Sequence, residues 1–246
     1  MLLLWILGIS VLEIAVSLVG QVVFFLGKFQ IKKYMHYFVS FAVGTLMGVV
    51  FLDILPEAAR FIETGAVFKY ALAGFVAFFI LSRFLFWYHC HNGECPKNGS
   101  PSLIILGAAT HNFIDGAIIA FSFVADFRLG LIAAFAILLH KIPKEMSDFF
   151  VLIHRGYDRK KALLCNFFAA TVILAGAAIA YFFSDKMSFI VGPALGIAAG
   201  NFLYIAATDL LPELNEKRQK GKTAVLQVGF ILSGIFVIYF VGMNFK

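Results

Sequence analysis

Charge is what this chain has least of: only 14% of its 246 residues are Asp, Glu, Lys or Arg, against about a quarter in a soluble domain. That shortfall excludes an ordinary water-soluble globular protein. Cysteine is nearly missing as well, and the three present, Cys90, Cys95 and Cys165, cannot form the framework of a disulfide-stapled secreted fold. No soluble face carries a basic cluster, so the net charge of +6 does not point to nucleic acid as a partner. The opening MLLLWILGIS lacks a basic start and a small-residue cleavage site, which is the pattern of a retained first span.

What the chain has instead is apolar length. Apolar side chains make up 61% of it, in runs of about 20 residues that suit helices crossing a hydrocarbon core of roughly 30 Å. The expected fold is an all-α polytopic membrane protein, one domain over residues 1–246, lying in lipid. Eight spans are expected, at about Leu2–Leu26, Tyr37–Phe61, Val67–Tyr88, Leu103–Val124, Leu129–Ile153, Ala162–Phe183, Phe189–Leu214 and from Val225 onward. Lys and Arg gather in the loops after spans 1, 3, 5 and 7, while those after spans 2, 4 and 6 hold only Arg60, Lys69, Arg128 and Lys186. By the positive-inside rule both termini are extracytoplasmic. With no organellar signal in view, the cell membrane is the expected location.

The chain also repeats itself. Span 2 contains Asp53-Ile54-Leu55-Pro56-Glu57 and span 7 contains Asp209-Leu210-Leu211-Pro212-Glu213, each preceded by closely spaced glycines: Gly44 and Gly48, then Gly192, Gly196 and Gly200. With eight spans the two copies run in opposite senses, giving an inverted repeat of spans 1–3 and 6–8 around a central pair, 4 and 5. Transporters commonly place a substrate site at such an interface. The four acids could line a path for an ion; equally, the proline marks a helix end with Glu57 and Glu213 in the interface. The glycines read as packing positions that let helices approach closely.

The central pair carries polar groups where a membrane helix should have none. His111 and Asp115 are four residues apart, as are His140 and Lys144, so each pair shares a helix face. An ionisable group at bilayer depth costs at least a few kcal/mol and therefore faces protein or water. Two imidazoles and a carboxylate suit Zn²⁺ and other divalent first-row metals, with Asn112 and Asp148 as further oxygen donors. Pro143 removes a backbone hydrogen bond and leaves the Leu139 carbonyl unclaimed, which can bend span 5 beside the site. The competing reading is a buried polar network that merely fastens two helices.

HNFIDG on span 4, HKIPKEMSDF on span 5, GTLMGVVFLDILPEA on span 2 and its relative on span 7 together resemble the ZIP (Zrt/Irt-like) family of divalent-metal transporters, and most of all its LIV-1-type branch. The resemblance covers nearly the whole chain. It implies a midplane transport site built from HNxxDG and a motif close to HExPHExGD, in which His111, Asp115 and His140 match ligands of a first metal and Asn112 a ligand of a second. Here the sequence departs from the pattern. Lys141 stands where the family has a glutamate ligand of the second metal, and Lys144 where it has a histidine bridging both. Protonated lysine has no lone pair to offer, so the expectation is a one-metal site completed by water, with ammonium groups in place of the second cation. Lys144 is expected to pair with Asp115 when no metal is bound. A lysine that sheds its proton as metal binds is the other arrangement. Glu145 could balance a lysine, and neither it nor Asp148 is expected to be a ligand.

Asp53, Glu57, Asp209 and Glu213 then read as pathway carboxylates, on a thinner path than usual because Val49 and Val50 are apolar. The loop at residues 89–101 places His89, Cys90, His91 and Cys95 together on the expected cytosolic side, where thiolates and imidazoles could capture Zn²⁺. The resemblance implies a transporter that moves divalent metal, zinc first, with Fe²⁺, Mn²⁺ and Cd²⁺ as further candidates, toward the cytosol by rocking of spans 1, 4, 5 and 6 against the rest. A homodimer is compatible with it. The alternative is a transport-inactive metal-binding or regulatory relative, since fixed positive charge repels a dication. An intramembrane metalloenzyme is not expected, because Lys141 takes the place of the HExxH glutamate.

Overall fold

The computed structural model describes residues 1–25, 31–87, 101–154, 156–186, 188–216 and 221–244. Among the described residues there are helices and turns and no strand. The helices are α1 (Leu2–Phe25), α2 (Ile31–Val49), α3 (Leu55–Phe61), α4 (Thr64–Trp87), α5 (Pro101–Ala125), α6 (Phe127–His154), α7 (Arg159–Lys186), α8 (Val191–Tyr204), α9 (Leu211–Glu216) and α10 (Lys222–Asn244). Two π-helical segments join α2 to α3 (π1, Val50–Ile54) and α8 to α9 (π2, Ile205–Leu210), and a short 3₁₀ turn, Ser188–Ile190, leads into α8. Spans 2 and 7 of the sequence reading are thus composite, and in both the π segment contains the motif aspartate, Asp53 or Asp209.

Seven of these runs are long and apolar enough to cross a membrane, which makes the chain an integral membrane protein. They fall in α1, α2 through α3, α4, α5, α7, α8 through π2, and α10. The expected eighth is α6. Its 28 residues would reach about 42 Å, but Lys141, Lys144, Glu145 and Asp148 interrupt its apolar character.

The packing separates the helices into two groups. α1, α5, α6 and α7 pack on one another, with α5 against α7 the most extensive contact; in the other group α2 lies along α10 and α4 along α8. An inverted repeat exchanging spans 2 with 7 and 3 with 8 requires these partnerships, because it turns the α2/α10 pair into the α8/α4 pair. The groups meet chiefly where α2 crosses α6.

Glycine sets the closeness of the three main pairs. A methyl group on Gly116 of α5 would strike the Ile173 carbonyl of α7, and one on Gly176 of α7 would strike the Phe113 carbonyl of α5. The same reciprocity holds for Gly44 and Gly234 between α2 and α10, and for Gly74 and Gly200 between α4 and α8. Small residues that let backbones touch are how membrane helices associate where no hydrophobic force separates helix from lipid.

α5 and α6 are joined through Asp126 alone. Its Oδ1 accepts a hydrogen bond from the Leu129 amide at 3.0 Å, capping α6, and the Phe123 ring fills the space over Gly130. At the far end of α6, Gly156 has φ of 91°. The Tyr157 amide donates to the Leu152 carbonyl at 3.1 Å and the Gly156 amide to Ile153 at 2.9 Å, the bonding of a Schellman stop. α6 runs unbroken as an α-helix past Pro143. The two motif helices are thus held at a tight elbow, facing each other.

Candidate metal centre

Three side chains converge where α5 faces α6. His111 Nε2 lies 3.3 Å from His140 Nε2 and 3.4 Å from Asp115 Oδ2, and His140 Nε2 lies 3.9 Å from that same oxygen. Ligands placed tetrahedrally at 2.0–2.2 Å from a zinc ion stand roughly 3.3–3.6 Å apart; two of the three separations fall in that range, and a few tenths of an ångström of closure between His140 and Asp115 would bring in the third. Asp115 and His140 are fully buried. Among the described residues neither carboxylate oxygen of Asp115 has a hydrogen-bond partner, a costly condition for a buried acid that a cation would relieve. His140 Nδ1 lies 3.2 Å from the Ala136 carbonyl; a carbonyl only accepts, so Nδ1 carries the proton and Nε2 turns its lone pair toward the site. This backbone contact fixes ring orientation in the way metal-bound histidines require. The Phe202 ring of α8 packs edge-on at 6.0 Å from the His140 ring.

The lysines are sequestered beside the centre. Lys141 is buried, with Nζ 3.7 Å from Glu145 Oε1. Glu145 is in turn held by α1, where Gln21 Nε2 donates to its Oε2 at 3.0 Å. Lys144 does not pair with Asp115 as its position one turn beyond His140 led us to expect. Its Nζ donates to Asp148 Oδ2 at 3.0 Å, because Asp148 is its own i+4 neighbour and each keeps about a fifth of its side chain exposed (21% each). Solvation is kept there and would be lost at Asp115. Asn112 is buried; its Nδ2 donates to the Ala108 carbonyl at 2.9 Å, while its Oδ1 has no hydrogen-bond partner.

A profile of the family described as ZIP zinc transporter matches residues 97–242, more than half of the chain. The chain belongs to the ZIP family. Zinc transporter ZIP13 of Pongo abelii is 31% identical over 214 residues, covering 81% of this chain and 64% of that protein. Zinc transporter zipt-7.2 of Caenorhabditis elegans is 37% identical over 138 residues, 54% of this chain and 30% of that protein. Zinc transporter ZIP4 of Homo sapiens is 36% identical over 120 residues, 48% and 18% respectively. This ZIP chain therefore spans less than two thirds of the length of each of these relatives.

The acids outside the centre divide. Asp53 lies 3.5 Å from Arg128 Nη2, whereas Glu57 binds Arg60, three residues on, at 3.0 Å. Spacing by four suggested one shared lining; π1 and two different cations give the acids different partners. Asp209 and Glu213 lie in π2 and α9, and their side chains are outside what is described. Val49 and Val50 are fully buried. The loop residues His89, Cys90, His91 and Cys95 fall outside the described residues.

Sequence reasoning missed the contribution of α1. Glu13, Ser17 and Gln21 are all buried, and their spacing by four in an otherwise apolar span was the available signal. It also missed Asn166 of α7, whose Nδ2 donates to the Glu145 carbonyl at 3.1 Å, and Arg128, which counted only as a loop charge.

Proposed function

We propose that this ZIP chain carries divalent cations, zinc first, across the membrane through a site that holds one metal ion bound by His111, Asp115 and His140 and completed by water. The observation that carries the reading is the convergence of the three ligand atoms around an Asp115 carboxylate whose oxygens meet no other donor. The matching relatives are named zinc transporters. Lys141 and Lys144 take the place of a second metal. Each is matched by a carboxylate on its own helix, which favours transport over an inactive relative, because the net repulsion on an incoming dication is reduced. Fe²⁺, Mn²⁺ and Cd²⁺ can use the same nitrogen and oxygen donors. In this reading residues 1–246 work as one unit in the cell membrane, with both termini outside and metal moving toward the cytosol. Motion of the α1, α5, α6, α7 group against the rest is supported by the way the helices group.

The test is zinc flux into liposomes containing the purified protein, together with metal stoichiometry. One ion per chain, with flux lost in Asp115→Ala, is expected. Two tightly bound ions would overturn the one-metal site. No flux in the parent with flux in Lys144→His would show that the lysines have switched transport off.

A further inference from the structure

The inward face of α1 is mostly polar, although the helix supplies no metal ligand. Of its described positions six are buried, Ile6, Ser10, Glu13, Ile14, Ser17 and Gln21. The helix packs on α5, α6 and α7, away from the seam where α2 crosses α6. Ser10 is satisfied locally, since its Oγ donates to the Ile6 carbonyl at 2.8 Å. The remaining polar positions run toward the lysine layer of α6. Two contacts fix how the helices lie: the Trp5 ring packs edge-on to Phe127 at 5.4 Å, and Gln21 donates to Glu145. Sixteen residues of α1 and eighteen of α6 separate these contacts, so the two helices run parallel and side by side. On that register Glu13 stands beside Ala136, one turn before His140. Long side chains on a helix lean toward its N-terminus, which carries the Lys141 ammonium back toward the same level. Of the surrounding charges, that of Lys141 acts on Glu13 most strongly, followed by Asp115 and Glu145. Glu13 is only 2% exposed and Lys141 1%, yet among the described residues neither Glu13 Oε2 nor Lys141 Nζ has a hydrogen-bond partner.

From this placement we infer that Glu13 is the second counter-charge of Lys141, and that by answering the ammonium from α1 it matches the buried centre to a single divalent cation. The inference deepens the one-metal reading and rests on it. Among the described residues, the buried side chains that carry acids, imidazole or ammonium are Glu13, Asp115, His140, Lys141 and Glu145. All of them belong to this one region of α1, α5 and α6. With His140 neutral, three carboxylates against one ammonium leave two negative charges. Lys144 and Asp148 cancel each other. One dication held by His111, Asp115 and His140 therefore brings the buried sum to zero, and burial tolerates charge only where it is balanced. Without Glu13 the same ion would leave one positive charge in excess. Glu145 answers Lys141 from one turn further along its own helix, and Glu13 answers it from one turn back on the facing helix. An ion arriving at His140 repels the neighbouring ammonium, and the carboxylate of Glu13 offsets that repulsion. Glu13 is thus a positioning residue, acting on the metal through Lys141.

The experiment titrates the full chain in lipid nanodiscs with zinc against a competing chelator. Glu13→Gln should weaken binding by at least about ten-fold, a modest share of what Coulomb's law gives for a dication and a single charge roughly 10 Å apart at an effective dielectric of about 20. Glu13→Ala is a second neutral variant should the glutamine form not assemble. Glu13→Asp keeps the charge and should stay within about three-fold of the parent. Adding Lys141→Met to Glu13→Gln restores the sum of charges, and the affinity should return to within about three-fold of the parent; a purely structural role for Glu13 would not be rescued by a second buried substitution. Ser10→Ala, on the same face, should leave binding unchanged. The visible absorption bands of Co²⁺ bound in place of zinc should keep their positions in Glu13→Gln, because no ligand is touched. Unchanged affinity in Glu13→Gln, no recovery in the double variant, or displaced Co²⁺ bands would each overturn the inference. A parent that binds one zinc ion with this dependence on Glu13 yet moves none would refute the transport reading alone. A parent that moves zinc while Glu13→Gln keeps its affinity would refute this inference alone.

Discussion

Two neighbouring layers of α6, one at His140 and the next at Lys141 and Lys144, handle charge in opposite ways. At His140 the nitrogen and oxygen atoms of three side chains converge within 3.9 Å, and among the described residues neither oxygen of the buried carboxylate has a hydrogen-bond partner. At Lys141 and Lys144 each ammonium has a carboxylate on its own helix, Lys144 hydrogen-bonded to Asp148 and Lys141 in an ion pair of 3.7 Å with Glu145 that makes no hydrogen bond, and Gln21 of α1 supports the buried pair. The first layer is incomplete without a cation and the second already contains its own. On the proposed one-metal reading, ammonium groups that arrive with their own carboxylates can stand beside a metal site while adding little net charge to it.

The largest effect that could break this comparison is expected at the first layer. Asp115→Ala should weaken zinc binding, measured by titration of the purified protein, by more than the roughly 10–100-fold that losing an outer partner of a metal ligand costs; retained affinity would place the metal elsewhere. Next comes Lys141→Met, which leaves Glu145 buried and unpaired. It should cost about 3–5 kcal/mol, while the double variant with Glu145→Leu recovers most of the loss, as apolar replacement of buried pairs does; thermal unfolding in detergent reads both. Gln21→Leu should cost about 1.5–3 kcal/mol, the range for a hydrogen bond to a charged group, and should do so only while Glu145 is present. The smallest change belongs to Lys144→Ala. Its partly exposed pair predicts a stability loss within about 1 kcal/mol, so a larger loss would mean that the second layer is less evenly divided than its exposure indicates.

The centre was legible in the sequence because its information is local. His111 and Asp115 share a helix face by spacing alone, and the glycine after Asp115 marks the place where α7 presses against α5. The grouping of acids along span 2 was not legible, since the four-residue spacing of Asp53 and Glu57 implied a regular α-helix where π1 intervenes. The partner of Lys144 was misjudged because two carboxylates lay within reach and only burial decides between them: Asp148 keeps contact with solvent, Asp115 does not. Arg128 could not be foreseen as a partner of Asp53 at all, because the elements that bring them together are far apart in the chain and meet only through the crossing of α2 over α6 beside α10.

The reciprocal glycines also limit how the protein can move. Where each backbone rests in a notch left by a hydrogen atom on its neighbour, sliding one helix along the other by a single residue would drive a side chain into a carbonyl. The α5/α7, α2/α10 and α4/α8 pairs are therefore locked in register and behave as three stiff beams. Any displacement large enough to expose His111, Asp115 and His140 first to one side and then to the other has to occur between beams, as rotation of whole bodies about the seam, and cannot be distributed as small slips within them.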